Sequence, residues 1–79
     1  MTVKLWPMEF VNYHTGALVG REWFRPGEGM YDEVEATAAT LADVNGIEVD
    51  IYGCSVMPSG RIGSRERLGM RVRPSMRIS

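Results

Sequence analysis

Few residues in this 79-residue chain are of a type that could do covalent chemistry: one cysteine, Cys54, and one histidine, His14. Nucleophilic catalysis needs a base within hydrogen-bond reach of the nucleophile and a third group to orient that base. Gly53-Cys54-Ser55 carries no nucleophile signature, and His14-Thr15-Gly16 reads as a turn, with His14 a plain turn residue and Cys54 a small, at least half-buried side chain. A lone cysteine excludes an internal disulfide, and one histidine beside it makes no zinc-ligand set. The glycine-rich run Ser59-Gly60-Arg61-Ile62-Gly63-Ser64 lacks the lysine and the strand-to-helix setting of a phosphate loop. No catalytic residue, metal or cofactor is expected, and the chain reads as a non-enzyme.

Charge is the more informative chemistry. The net charge is only −1, yet the signs are segregated along the chain. Seven acids and no lysine or arginine lie between Glu28 and Asp50, whereas six arginines and one acid, Glu66, lie from Arg61 to the end. Either the two blocks pair with each other in the fold or they form two surfaces of opposite sign. The acidic one is a helix face carrying Asp32, Glu35 and Asp43, extended by Glu28 and Glu33, with Ala36, Ala39 and Thr40 small enough for close approach. Such a ridge suits a basic groove that otherwise holds nucleic acid. Asp32, Glu33, Glu35, Thr40 and Asp43 are its expected partner-binding residues, although carboxylates in a first helical turn also favour the helix dipole without any partner.

The basic surface is an open sheet face. Arg21, Trp23 and Arg25 share one side of a second strand, and Arg65, Arg67, Arg71 and Arg73 one side of a fourth. Arginine interleaved with an aromatic is a way of holding single-stranded nucleic acid. In a hairpin centred on Gly60-Arg61, Glu48 and Asp50 stand opposite Arg73 and Arg71. Arg65 and Arg67 are then left unneutralised, and Arg21, Trp23, Arg25, Arg65 and Arg67 form the alternative, nucleic-acid-binding set.

The elements that must position these residues follow from periodicity. Residues 3–13 read as a first strand that starts after Pro7 or lies at a sheet edge, because proline cannot donate to a ladder. Ala17 to Arg25 returns as a second strand, with Leu18, Glu22 and Phe24 on one parity and Val19, Arg21, Trp23 and Arg25 on the other. Pro26-Gly27-Glu28-Gly29 breaks it. Tyr31 to Asn45 is an amphipathic helix whose apolar stripe is Tyr31, Val34, Ala38, Leu41 and Ala42, with a capping-box-like Asp32-x-x-Glu35 start and Gly46 as its stop. Residues 47–56 form a third strand with Ile47, Val49 and Ile51 inward. Residues 57–64 read as a long mobile loop, and Arg65 to Arg73 as the fourth strand with Leu68, Met70 and Val72 inward.

Two hairpins flanking one helix make a single α+β domain over residues 1–79, in ββαββ order. It is a four-stranded, mainly antiparallel sheet with the helix packed on one face, and residues 74–79 form a tail that frays. Strand order is left open. Hydrophobic residues make up 44% of the chain, which argues for a folded domain, and no run approaches the ~20 apolar residues that span a bilayer. The N-terminus lacks a basic region followed by an apolar run, so no signal peptide is expected. The setting expected from this and from cysteine usage is reducing and cytoplasmic, with no membrane partner and a monomer or dimer.

The hairpin ending in Val19-Gly20-Arg21, the alanine-rich helix around Ala36 to Ala42 and the closing hairpin resemble small phage-encoded anti-CRISPR proteins directed at type I systems. The resemblance covers most of the chain in architecture and composition and rests on no diagnostic motif. It implies stoichiometric binding to a CRISPR-associated surveillance complex in a bacterial host cell, at the surface where target DNA docks. The arginine-rich fourth strand departs from a simple DNA mimic. Besides such an inhibitor and a small nucleic-acid-binding or regulatory protein, an assembly factor of a phage particle is the third expectation, and self-association would distinguish it.

Overall fold

The computed structural model describes residues 4–75. It contains β1 (Trp6–Asn12), β2 (Leu18–Phe24), α1 (Met30–Asn45), β3 (Val49–Val56) and β4 (Ile62–Val72). The expected ββαββ order holds. All neighbours in the sheet run antiparallel, in the order β2-β1-β3-β4. Both hairpins pair locally, and the connection through α1 places β3 beside β1, so the two central strands come from different hairpins.

Strand alternation sorts the sheet into two faces. Met8 and Phe10 of β1, Val49 and Ile51 of β3, and Leu68, Met70 and Val72 of β4 turn toward α1. Glu9, Arg21, Asp50, Tyr52, Arg67 and Arg71 turn away from it. The core joins the first set to Phe24, Met30, Val34, Ala38 and Ala42, and Phe10 meets Phe24 edge-on at 6.2 Å between ring centroids. Small residues let the helix lie close. Ala38 and Ala42 are its contact points, and a methyl group added at Gly20 of β2 would already touch Leu41 at 3.4 Å.

Several local expectations need correction. The buried stripe of α1 is Met30, Val34, Ala38 and Ala42, and Tyr31 is exposed. The helix begins one residue earlier than its periodicity suggested, which turns Met30 inward. No capping box forms, since Gly29 is the N-cap and no side chain bonds to it. Gly46 does end the helix in the left-handed region (φ 64°), with its N–H donating to the Ala42 carbonyl.

Pro7 lies inside β1, buried, in a central strand rather than an edge one. It is tolerated because β1–β3 pairing begins only at Met8↔Gly53, so at Pro7 the strand is flanked by β2 alone and is locally an edge. In β2 a bulge opposite Phe10/Val11 moves Leu18 off the parity of Glu22 and Phe24 and places it opposite Val11. Arg25 falls just beyond the strand.

Residues 57–64 are not a long loop. A turn closes with Gly60 N–H donating to the Met57 carbonyl and Met57 N–H to that of Arg61, both at 2.8 Å, and Ile62 already pairs with Val56. The extra length goes into a β4 bulge, where residues 68–70 face Ile51 alone and Gly69 supplies the positive φ of 76°. Two residues are inserted there relative to β3, so Arg65 to Arg73 keep one alternation. A second bulge, between Arg65 and Ile62 opposite Cys54 and Val56, inserts one residue and shifts the parity at the strand's start. The tail is also partly held. Ser75 N–H and Oγ donate to the Asp43 carboxylate at 2.6 and 3.3 Å, while residues 76–79 of the expected fray lie outside the described residues.

The helix register is testable. Met30→Ala should cost about 2–5 kcal/mol, as for a fully buried methionine, whereas Tyr31→Ala should stay within about 0.5 kcal/mol. Chemical denaturation of the two variants checks this, and a reversed order would restore the stripe read from periodicity.

Candidate binding faces on the sheet and the helix

The face of the sheet turned away from α1 is built around an acid where an apolar strand would put none. Glu9 alternates with Met8 and Phe10 in β1 and is buried at 6% exposure. A buried carboxylate is tolerable only with cationic or hydrogen-bonding partners. Arg21, directly opposite on β2, donates to it from Nη2 at 2.6 Å and Nε at 3.1 Å, and Arg65 reaches in from β4 with Nη1 at 3.1 Å. The Arg21 hydrogen bond, helped by that of Arg65 and opposed by burial, holds the Glu9 carboxyl below the usual glutamate range.

The same arrangement repeats along β3. Asp50 is paired to Arg67 Nε at 2.9 Å. Glu48 accepts from His14 Nε2 and from Arg73 Nε at 3.1 Å, with Arg71 Nε at 3.6 Å. The His14 hydrogen bond is the main cause lowering the Glu48 carboxyl, and Arg71 and Arg73 add to it. The Asp50 charge beside it, with Tyr13 adding to it, raises the Arg67 guanidinium pKa and keeps it protonated. The expected register is therefore right in placing Asp50 opposite Arg71 and pairing Glu48 with Arg73. The expectation that Arg65 and Arg67 stay unneutralised is wrong, because Glu9 supplies a carboxylate from β1 and Asp50 pairs diagonally with Arg67 rather than straight across.

Charge on this face is layered. The three carboxylate side chains are 8%, 7% and 20% exposed, and the five arginines above them 38–71%. Aromatic rings lie among the guanidiniums: Arg65 sits 4.7 Å from the Tyr52 ring centroid, and Arg71 and Arg67 lie 4.5 and 5.6 Å from that of Tyr13. Trp23, opposite Pro7, is exposed on the same face, while Arg25 is exposed past the strand end with no ion pair among the described residues.

The helix ridge lies on the other side of the sheet. Asp32, Glu33 and Glu35 are exposed and make no ion pair among the described residues. Asp43 is occupied by Ser75, and the Thr40 hydroxyl donates to the Ala36 carbonyl of its own helix. Four of the five expected ridge residues thus remain available, Thr40 through its methyl group. No basic residue occupies the last helical turn.

Cys54 is half-buried, and burial, followed by the nearby Glu9 charge, raises its thiol pKa. His14 is bonded to Glu48, and among the described residues no hydrogen bond joins it to Cys54. Among the described residues no cluster of three or more His, Cys, Asp or Glu is placed to hold a metal ion, and no helix is long and apolar enough to cross a membrane.

Glu9 and Tyr13 belong to the sheet face but were absent from the residues expected there. Glu9 did leave a signal, as the single carboxylate in the apolar run from Leu5 to Val11. Comparison with protein-family models, curated proteins and solved structures yields no match. Only the chain's own surfaces bear on its function.

The Glu9 clamp has a pH signature. A carboxylate whose folded pKa lies below its unfolded value contributes fully above the unfolded value, about 4.3, and loses its contribution as pH falls through the folded one. Stability should therefore decline on acidification below about pH 4.3. Glu9→Gln, less stable at neutral pH, should show a flatter acid limb in denaturant titrations; a limb as steep as that of the unaltered chain would assign the decline to other carboxylates.

Proposed function

We propose that the chain is a binding protein whose acidic helix ridge occupies a cationic, nucleic-acid-binding surface on a protein partner. The observation that carries this reading is the distribution of ion pairs. Glu9, Glu48 and Asp50 on the sheet are each matched by arginine, whereas Asp32, Glu33 and Glu35 on the helix have no cationic partner among the described residues.

An uncompensated row of carboxylates lowers the local potential and speeds encounter with a basic groove. Ala36 is exposed and Ala39 half-buried on the turn that follows those acids, so a partner's arginines meet only small side chains beside the carboxylates. Such a ridge competes with phosphate for the same cations. The likeness to small phage inhibitors of type I systems makes the CRISPR surveillance complex the partner to test first. The proposed mechanism is stoichiometric occlusion of its DNA-docking surface.

The decisive experiment is a gel shift of target DNA by purified type I surveillance complexes, with and without this protein. The unaltered chain should abolish the complex–DNA band at near-equimolar ratio. Asp32→Lys, Glu33→Lys and Glu35→Lys combined should restore the band. The lost dipole interactions should cost the variant only about 0.3–1 kcal/mol each. Full inhibition by a folded triple variant would remove the ridge from the mechanism.

A further inference from the structure

The outward layer of the sheet is more than internal pairing requires. Five arginines stand over three carboxylates, so two positive charges are in excess, and the guanidiniums rather than the carboxylates meet solvent. Arg73 donates to Glu48 from Nε and Arg71 Nε lies 3.6 Å from it, and among the described residues no hydrogen bond is made by the terminal nitrogens of either fork, which are placed to meet a second acceptor. We propose that this face binds single-stranded nucleic acid, with backbone phosphates along the β4 arginines and bases stacked toward Tyr52 and Trp23.

Three features of the face select that ligand over another polyanion. First, Arg65, Arg67, Arg71 and Arg73 form a row along one edge strand, in which alternate residues are spaced by roughly 7 Å. The row therefore suits a linear string of charges. Second, aromatic rings lie inside that row and across the sheet from it. Tyr52 and Tyr13 already stack with guanidiniums, and Trp23 is exposed at 45% on β2. Flat rings beside cations provide stacking platforms that an acidic peptide has little use for.

Third, the floor of the layer is one donor short. Asp50 Oδ1 is buried and accepts no hydrogen bond among the described residues. A phosphate drawing Arg67 outward opens that oxygen to a base amine or ring N–H, a donor that nucleic acid brings and a plain polyanion lacks.

This face is on the opposite side of the sheet from the helix ridge, so the two readings stand or fall separately. The test uses the protein alone. A fluorescein-labelled oligothymidylate of about 16 nucleotides is titrated with protein and followed by anisotropy, across a series of salt concentrations. The unaltered chain should bind. Three to four phosphate contacts predict a log–log salt slope near −2 to −3. Arg71→Gln with Arg73→Gln, which unpairs only the partly exposed Glu48, should reduce that slope by about 1.4. In a Trp6→Phe background Trp23 fluorescence should be quenched on binding, and Trp23→Ala should weaken binding about 5- to 100-fold.

The variant lacking the acidic ridge should bind the oligonucleotide at least as well as the unaltered chain. Equal competition by polyglutamate, equal competition by duplex DNA, or binding with no change in Trp23 fluorescence would overturn the proposal. Polyglutamate competition would redirect the face to an acidic protein partner.

Discussion

The structure depends on the burial of one carboxylate. Glu9 lies at the centre of the sheet, and with little of it open to water its charge must be met largely by the protein. Arg21 and Arg65 meet it from β2 and β4, the two edge strands, so a single side chain ties the sheet across its width. A buried ion pair of this kind adds little net stability over a well-packed apolar replacement. What it does specify is alignment. Slipping β2 by one residue against β1 would replace Arg21 with Gly20 or Glu22 opposite Glu9, and strand alternation would turn the Arg21 guanidinium to the wrong side.

Once Glu9 fixes the arginines on one face, the helix is confined to the other. Its docking surface is made of small contacts. Ala38 and Ala42 present methyl groups, Gly20 leaves room for Leu41, and a methyl group at Gly53 would press within 3.3 Å of Leu68. The helix therefore lies close and buries a narrow stripe, which leaves Asp32, Glu33 and Glu35 on its far side. The absence of a basic residue from the last turn follows the same logic, because all the arginines matched to acids stem from the sheet or its extensions.

Much of this was legible in the chain. The period-2 patterns of residues 47–52 and 65–73 sorted β3 and β4 onto two faces correctly, and Gly46 marked the helix end. What escaped had physical reasons. Met30 follows a glycine and precedes the acidic turn, so periodicity alone could not choose between it and Tyr31 as the first buried position. The Leu18 bulge moves a parity by one residue, and its only local mark is Gly20, opposite Phe10 at its edge. Pro7 looked incompatible with a central strand because strand order, which decides where β3 stops, is a long-range property. The Glu9–Arg65 pair spans 56 positions and requires that same order. With β1 placed in the centre, an acid in its apolar run has to find cations on both sides.

The sheet is also what keeps the two charged surfaces from cancelling. Segregated acids and arginines along a short chain could have met as a single neutral interface, and part of them does: Glu48 and Asp50 come from the acidic block and are covered by Arg67, Arg71 and Arg73. The remainder of the acidic block rides on the far side of the helix, separated from the arginines by the sheet and by at least the helix diameter of roughly 10–12 Å, which exceeds the Debye length of about 8 Å at physiological salt. At that separation attraction between the two faces is largely screened, so each meets its surroundings with its own sign. A chain with a net charge of −1 therefore presents a cationic aromatic surface on one side and an anionic ridge on the other. Its net charge describes neither.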